Sequence, residues 1–272
     1  MRRQRWFEIH DQPWFPAYFR DRVTEALEAI WNQNRTYHPI AARLRAAIAQ
    51  SRAVRIVDLC SGSGGPWAGL YGEVAAGCAL SVVLTDLYPS ELARRRTVQG
   101  VSAWQAAVDA RRVPAELSGF RTIFSSFHHF DPGAARAMLA STFDRREGIA
   151  VFESARRDAW TMLAVTAVPF LGIRAALTAR PVRWDRILWN CVLPVVPALL
   201  WIDGVLSCLR SYAIGDLREL IQGLAADDYQ WQMGDEAGGR VPIRYLVGIP
   251  RVPESPAQPE SKGEELPVDN QD

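Results

Sequence analysis

The chain alternates short apolar runs with longer stretches of helical periodicity, and the alternation predicts an α/β sheet. Val54, Ile56 and Val57 form a β-branched run of the kind buried on both faces of a parallel sheet, and Leu80-Ser81-Val82-Val83-Leu84 forms a second. Val101 to Val108, Phe120 to Phe130 (a strand with its carboxyl-end loop) and Gly148 to Glu153 supply strands three, four and five. Between them the 3.6-residue period returns. Val23, Leu27, Ile30 and Trp31 predict a helix over 19–33, and Ile40, Leu44, Ala47 and Ile48 one starting near Pro39. Further helices are expected from Pro66 to about Ala76, stopped by Gly77, from Pro89, from Asp131-Pro132 across Ala134–Ser141, and over Ile214–Leu224. Tyr229–Met233 and Val241–Ile249, with Gly238-Gly239 at the turn, predict a closing antiparallel pair.

Two segments stand outside this pattern. Residues 1–52 form an N-terminal extension, whose stretch Arg5 to Pro16 is aromatic and broken by proline. It reads as an ordered loop, with Asp11 and Trp14 as its candidate functional residues. Residues 158–211 form an insertion after strand five, with very apolar pieces at 160–173 and 187–202. Each piece is shorter than the ~20 residues a spanning helix needs, and each contains proline. One reading is a hairpin dipping into one membrane leaflet, with Arg180, Arg183, Arg186, Trp184 and Trp189 at headgroup level. The other is an apolar lid or dimer face over a greasy substrate pocket. Both imply a hydrophobic substrate or surrounding. Asp203, following so apolar a run, must be paired or at an aqueous rim. A structural ion pair with Arg210 is favoured over a place at the substrate entrance. Residues 251–272 are polar, acidic and proline-rich, and are expected to be a disordered tail.

Composition narrows the function classes. A chain of 272 residues suits one large domain with an elaborated insertion. A net charge of +1 gives no field for a polyanion, so nucleic acid is not expected as a partner. A hydrophobic content of 49% with ten tryptophans leaves apolar surface beyond the core. The four cysteines make no C-x-x-C pair and no metal-like spacing; they read as reduced and cytosolic, and no metal site is expected. Arg2, Arg3 and Arg5 are followed by Asp11 and Pro13 before any apolar core, unlike a secretory signal. The expected location is cytoplasmic, with peripheral membrane contact through 160–208 as the alternative.

The chemistry centres on Asp58-Leu59-Cys60-Ser61-Gly62-Ser63-Gly64-Gly65. A strand ending in an acid, a glycine-rich turn and Pro66 opening a helix make a cradle for a polar ligand. The dinucleotide pattern G-x-G-x-x-G fails at Trp67, and no lysine follows to make a phosphate-binding loop. The stretch resembles motif I of the class I S-adenosylmethionine (SAM)-dependent methyltransferases, an acid followed by G-x-G-x-G. Asp58 is the acid, Gly62 and Gly64 match the second and third glycines, and Cys60 replaces the first, its side chain expected to turn away from the ligand. Asp86, ending strand two, is placed to accept from a ribose diol, with Leu87 or Tyr88 against the adenine.

The same resemblance gives Asp109, after strand three, to the adenine amine, although a turn-forming role suits it too. Ser126, His128 and His129 fall at the carboxyl end of strand four, where reactive ligands lie in such sheets. The histidines serve either as general base or only to shape the loop. The implied cofactor is SAM, held by Asp58, Ser61, Gly62, Gly64, Asp86, Leu87, Asp109, Ala110 and Ser126. The Asn-Pro-Pro-Tyr type of motif, which marks methylation of nucleobase or glutamine nitrogens, is absent.

The resemblance covers 53–157 and 212–250. It implies a doubly wound, mostly parallel seven-stranded α/β sheet of order 3-2-1-4-5-7-6, and an enzyme methylating O or C of a hydrophobic or lipid-like molecule. Two alternatives are a non-catalytic SAM or nucleoside binder whose insertion is a membrane or partner adaptor, and an NAD(P) oxidoreductase, which Trp67 and the closing hairpin disfavour.

Overall fold

A computed structural model describes residues 3–4, 6–95 and 98–251. Residues 252–272 of the expected acidic tail, with Arg2 and Arg5 of the N-terminal stretch, lie outside them. Seven strands form one sheet: β1 (Arg55–Leu59), β2 (Ser81–Thr85), β3 (Val101–Ala103), β4 (Phe120–Phe124), β5 (Ile149–Glu153), β6 (Tyr229–Glu236) and β7 (Ile243–Pro250). Their order is 3-2-1-4-5-7-6, with β1 to β5 parallel and β7 antiparallel to both β5 and β6. β4 and β5 are buried along their whole length, as strands covered on both faces must be.

The helices are α1 (Ala17–Gln33), α2 (Ala41–Ser51), α3 (Trp67–Val74), α4 (Glu91–Arg95), α5 (Pro132–Asp144), α6 (Ala159–Val165), α7 (Val168–Thr178), α8 (Trp184–Ile187), α9 (Val195–Arg210) and α10 (Ile214–Leu220). One core face packs α2 and α3 on the sheet through Leu44, Ile56, Trp67 and Phe152; the other packs α5 and α10 through Val57, Met138, Val151 and Leu217.

Several boundaries differ from the sequence pattern, each for a local reason. β3 pairs over three residues only: Gln105 folds its side chain back onto the Ala103 carbonyl, and the backbone rejoins β2 at Val108, which donates to Asp86 O. Pro66 precedes α3 rather than opening it. α10 ends four residues early, before Gly223, whose φ of 79° is left-handed.

The N-terminal extension and the insertion form one helical layer. Val23, Ala26 and Ile30 of α1 cluster with Ala175 of α7 and with Val196 and Leu200 of α9. Trp160, Phe170, Trp184, Val192 and Trp201 of the insertion remain exposed, Trp184 at 82%. Arg183 and Arg186 do not reach outward as a headgroup-level pair would. Both turn to Glu25 of α1, Arg186 at 2.8 Å and largely buried, and together with Arg22 they compensate that buried carboxylate beneath the apolar layer. Among the described residues no single helix is long and apolar enough to cross a membrane; α6 with α7, and α8 to α9, reach the required length only as pairs bent by 40° and 64°.

Candidate active site

The carboxyl ends of β1, β2 and β4 open into one cavity of about 720 Å³, roofed by α1, α6, α7 and α9. Its floor is the glycine-rich turn. Asp58 lies beneath that turn, buried, and accepts hydrogen bonds from Ser61 Oγ (2.7 Å) and Thr122 Oγ1 (2.5 Å). Burial drives its pKa up to about 7 against the pull of those hydroxyls. Asp58 and Gly64 do not line the cavity; Asp58 braces the loop from below. Cys60, Ser61 and Gly62 do line it.

Cys60 borders the cavity, packs against the core cluster of Val57 and Leu59, and adopts the left-handed φ of 58° that a glycine would hold at less cost. Glycine suits position 62, since φ is 53° and an added Cβ would stand a tight 3.1 Å from Thr24 of α1. Thr24 Oγ1 also bonds Ser63 Oγ, and Asn32 reaches Gly65 O and Gly69 N, so α1 clamps the turn from above.

Asp86 joins the turn to β2. One oxygen accepts from Gly62 N and the other from Tyr88 N, both at 2.8 Å. Burial raises its pKa against those two amides. Asp109 and Ala110 line the same cavity, as do Leu87, Tyr88 and Ser126. Asp109 is held by its neighbour Arg111 through both carboxylate oxygens, and this guanidinium lowers its pKa. Arg20 of α1 stacks its guanidinium 3.9 Å from the Tyr88 ring and donates to the carbonyls of His10, Gln12 and Phe15, fixing the N-terminal segment along the rim.

The far wall carries a dense group of acids and imidazoles. His128 and His129 sit in a 3₁₀ turn after β4, with Glu153 at the end of β5 accepting from the Phe127 amide (2.7 Å) and contacting His128 Nδ1 (2.6 Å). On the other side of His128, Nε2 lies 3.2 Å from Glu8 Oε1 of the N-terminal segment. Burial works against a charge on His128, but the two carboxylates outweigh it and raise the pKa to about 10. Both ring nitrogens therefore face acids, which places His128 poorly as a general base toward an acceptor.

His129 stacks on His128 at 4.4 Å, borders the cavity and pairs through Nδ1 with Asp11. Asp203 does not pair with Arg210. It accepts from Ile9 N and bonds His10 Nδ1 at 2.6 Å, a partner 193 residues away, while Arg210 donates to the carbonyls of His128 and His129. Of the two residues singled out in the N-terminal loop, Asp11 joins the site and Trp14 is exposed at 67%.

A comparison with protein-family models finds no match, and a comparison with curated proteins finds none. Among solved structures, the plantazolicin methyltransferase BpumL, in complex with a triazolic desmethylPZN analogue and SAH, superposes with a TM-score of 0.51 at 9% identity over 86% of this chain and 99% of that one. The chain has the fold of the class I SAM-dependent methyltransferases. Human N-acetylserotonin methyltransferase, in complex with SAM, matches at 0.46 and 11% over 84% of this chain, and mitomycin 7-O-methyltransferase MmcR at 0.44 and 15% over 79%. The chain spans 56% and 54% of those two proteins, about half of each.

Within this methyltransferase fold, every strand-end acid expected from the sequence is found at one end of the sheet. Glu153 obeys the same strand-end rule and was legible by it. Glu8, Thr24 and Asn32 were not, because nothing in a proline-broken segment or on one helix face announces contacts to a loop far along the chain.

Asp58 makes the loop's stability depend on pH in a defined direction. Its folded pKa, about 7, lies above the ordinary carboxylate value, so the folded chain keeps a proton that the unfolded chain releases. The contribution is full below about pH 4, fades as pH rises towards 7 and is flat above. Asp58→Asn, which has no proton to lose, should match the wild type at pH 4 and gain on it by an amount on the order of a few kcal/mol by pH 7. Urea unfolding of both proteins from pH 4 to 8 measures this; a constant difference across the range would contradict it.

Proposed function

We propose that the protein transfers the methyl group of SAM to an oxygen or carbon of a hydrophobic, lipid-like molecule at a membrane surface. The observation that carries the reading is the two-sided cavity. One side is the turn at Gly62 with Asp86, Asp109 and Ala110; the other is an apolar wall of Ile30, Trp31, Val165, Val168, Leu171 and Leu200.

The polar side suits SAM on three counts. The Gly62 turn, its amide held by Asp86, forms the cavity floor, and the strand-end acids Asp86 and Asp109 both line the cavity as ribose and adenine acceptors would. The carboxylates around the cavity, Glu8, Asp11, Asp21, Asp86, Asp109 and Asp203 among them, favour a cationic ligand. They oppose a pyrophosphate, which weakens the NAD(P) reading. When bound, SAM supplies an electrophilic methyl on a sulfonium centre.

The chain's own part is orientation and exclusion of water. Asp86 and the Gly62 turn hold the nucleoside, while α6, α7 and α9 keep bulk water from the apolar half. The polar end of the acceptor lies against His129 and Asp11, and the proton of an attacking hydroxyl is received at that cluster. The exposed Trp160, Phe170, Trp184 and Val192 support contact with a lipid surface through the outer face of the layer that roofs the cavity.

Calorimetric titration should give SAM and S-adenosylhomocysteine binding to the wild type, weakened at least about tenfold in Asp86→Ala, a loss of ~1.4 kcal/mol. Transfer of labelled methyl from SAM to a lipid extract separates an enzyme from a cofactor-binding adaptor. NADH binding tighter than SAM would overturn the cofactor reading.

Because Arg183 and Arg186 are spent on Glu25, membrane attachment should come from apolar and aromatic side chains. Flotation with neutral phosphatidylcholine vesicles is expected for the wild type, with little salt dependence, and is lost in the double variant Phe170→Glu, Trp184→Glu. Wild-type protein remaining at the bottom with every vesicle composition would remove the membrane part.

A further inference from the structure

The group of acids and imidazoles at the far wall is larger than methyl transfer requires. Three histidines each have Nδ1 paired with a carboxylate: His10 with Asp203, His128 with Glu153 and His129 with Asp11. An acid on Nδ1 fixes the tautomer and aims Nε2, the usual arrangement around a histidine that ligates a metal; for His128 that Nε2 faces Glu8, whereas His129 meets Glu8 through Nδ1 itself, beside Asp11.

The middle of the group holds the second observation. Glu8 Oε1 and His128 Nε2 are buried, each on a residue 1% exposed, and neither makes a hydrogen bond although they stand 3.2 Å apart. Their attraction is that of an ion pair, with angles wrong for a hydrogen bond. Two buried atoms aimed past each other at such a separation are arranged as two ligands of one ion, with zinc–nitrogen and zinc–oxygen bonds of about 2.0–2.2 Å. His129 Nδ1 lies 3.7 Å from the other oxygen of Glu8, and Glu8, His128 and His129 each offer a ligand atom within 4.8 Å of the others. Asp11 and His10 form an adjoining set that shares His129.

We infer that Glu8, His128 and His129 bind one divalent cation of the zinc class, with Asp11 beside it as a further oxygen donor. Two imidazoles and a carboxylate make a borderline donor set that suits zinc, cobalt or nickel better than magnesium or calcium. Arg3, Arg210 and Tyr212 hold the carbonyls of His128, His129 and Phe130, which makes the turn a rigid mount. All three ligands border the cavity, so the ion's open position faces the acceptor.

Its catalytic part rests on the methyl-transfer reading. An acceptor hydroxyl on the ion loses its proton to Asp11, and its oxygen pair forms the O–CH3 bond. The S–CH3 bond breaks with its pair left on sulfur, giving a neutral thioether.

The test is equilibrium metal binding by the full chain, stripped with a chelator and then titrated with Zn2+ by calorimetry and with Co2+ by its visible absorption. One ion per chain is expected. Glu8→Gln keeps the shape of the side chain and should weaken binding by more than about 100-fold; Glu153→Gln, which removes only the acid behind His128, should weaken it about 10–100-fold. His129→Ala, at a less buried position, repeats the first test should Glu8→Gln fail to fold.

SAM titrations on the same samples report folding and separate the two claims. Metal binding without SAM binding upholds this inference and removes the methyltransferase reading. SAM binding with no stoichiometric uptake of Zn2+, Co2+ or Ni2+, or with uptake unchanged in Glu8→Gln and His129→Ala, overturns the inference.

Discussion

A buried positive charge on or beside His128, held between Glu8 and Glu153, is the constraint on which the rest of the site depends. Leaving either acid uncompensated in so enclosed a place would cost several kcal/mol, so the three groups must come together or not at all. They come from three parts of the chain: the N-terminal segment, the turn after β4 and the end of β5. Bringing Glu8 in fixes the segment that carries His10 and Asp11, and Asp203 of α9 then secures that segment from the insertion side. The N-terminus and the insertion are thereby committed to the same end of the sheet. One consequence is the position of α1, whose Thr24 and Asn32 press on the glycine-rich turn.

The cavity that results is divided by chemistry. Backbone amides and acids from the ends of β1, β2 and β3 make one half, and the inner faces of α1, α6, α7 and α9 make the other. Acids outnumber arginines along the cavity, and several of the arginines nearby are engaged with the protein itself. Arg111 holds Asp109, Arg20 ties the rim together and Arg210 holds the histidine turn. A cationic ligand is favoured there for that reason, and the apolar half can accept a large greasy partner without unsatisfied polar groups.

Much of the sheet was legible in the sequence because parallel strands are short, continuous and β-branched, and because an acid at the end of each marks the open edge. Asp58, Asp86 and Asp109 illustrate the limit of that rule. All three end a strand or follow one, yet Asp58 turned out to be a brace below the loop and Asp109 is bound to Arg111. Sequence position places a carboxylate at the right end of the sheet; it does not say whether the side chain points to ligand, loop or neighbour. The pairing of Asp203 with His10 was not legible, since the nearby Arg210 offered a local partner and the real one lies 193 residues earlier. Glu8 carries no periodic signal at all. Its importance comes from burial, which only the fold creates.

The central claim is that the turn at Gly62 and the acid-lined end of the sheet form a SAM site whose open side meets the histidine cluster. A crystal structure of the protein with S-adenosylhomocysteine tests it most directly. The account predicts the ribose hydroxyls on Asp86, the adenine beside Leu87, Asp109 and Ala110, and the sulfur facing His129. Density for the ligand on the outer surface, or no density in this cavity at saturating ligand, would contradict it.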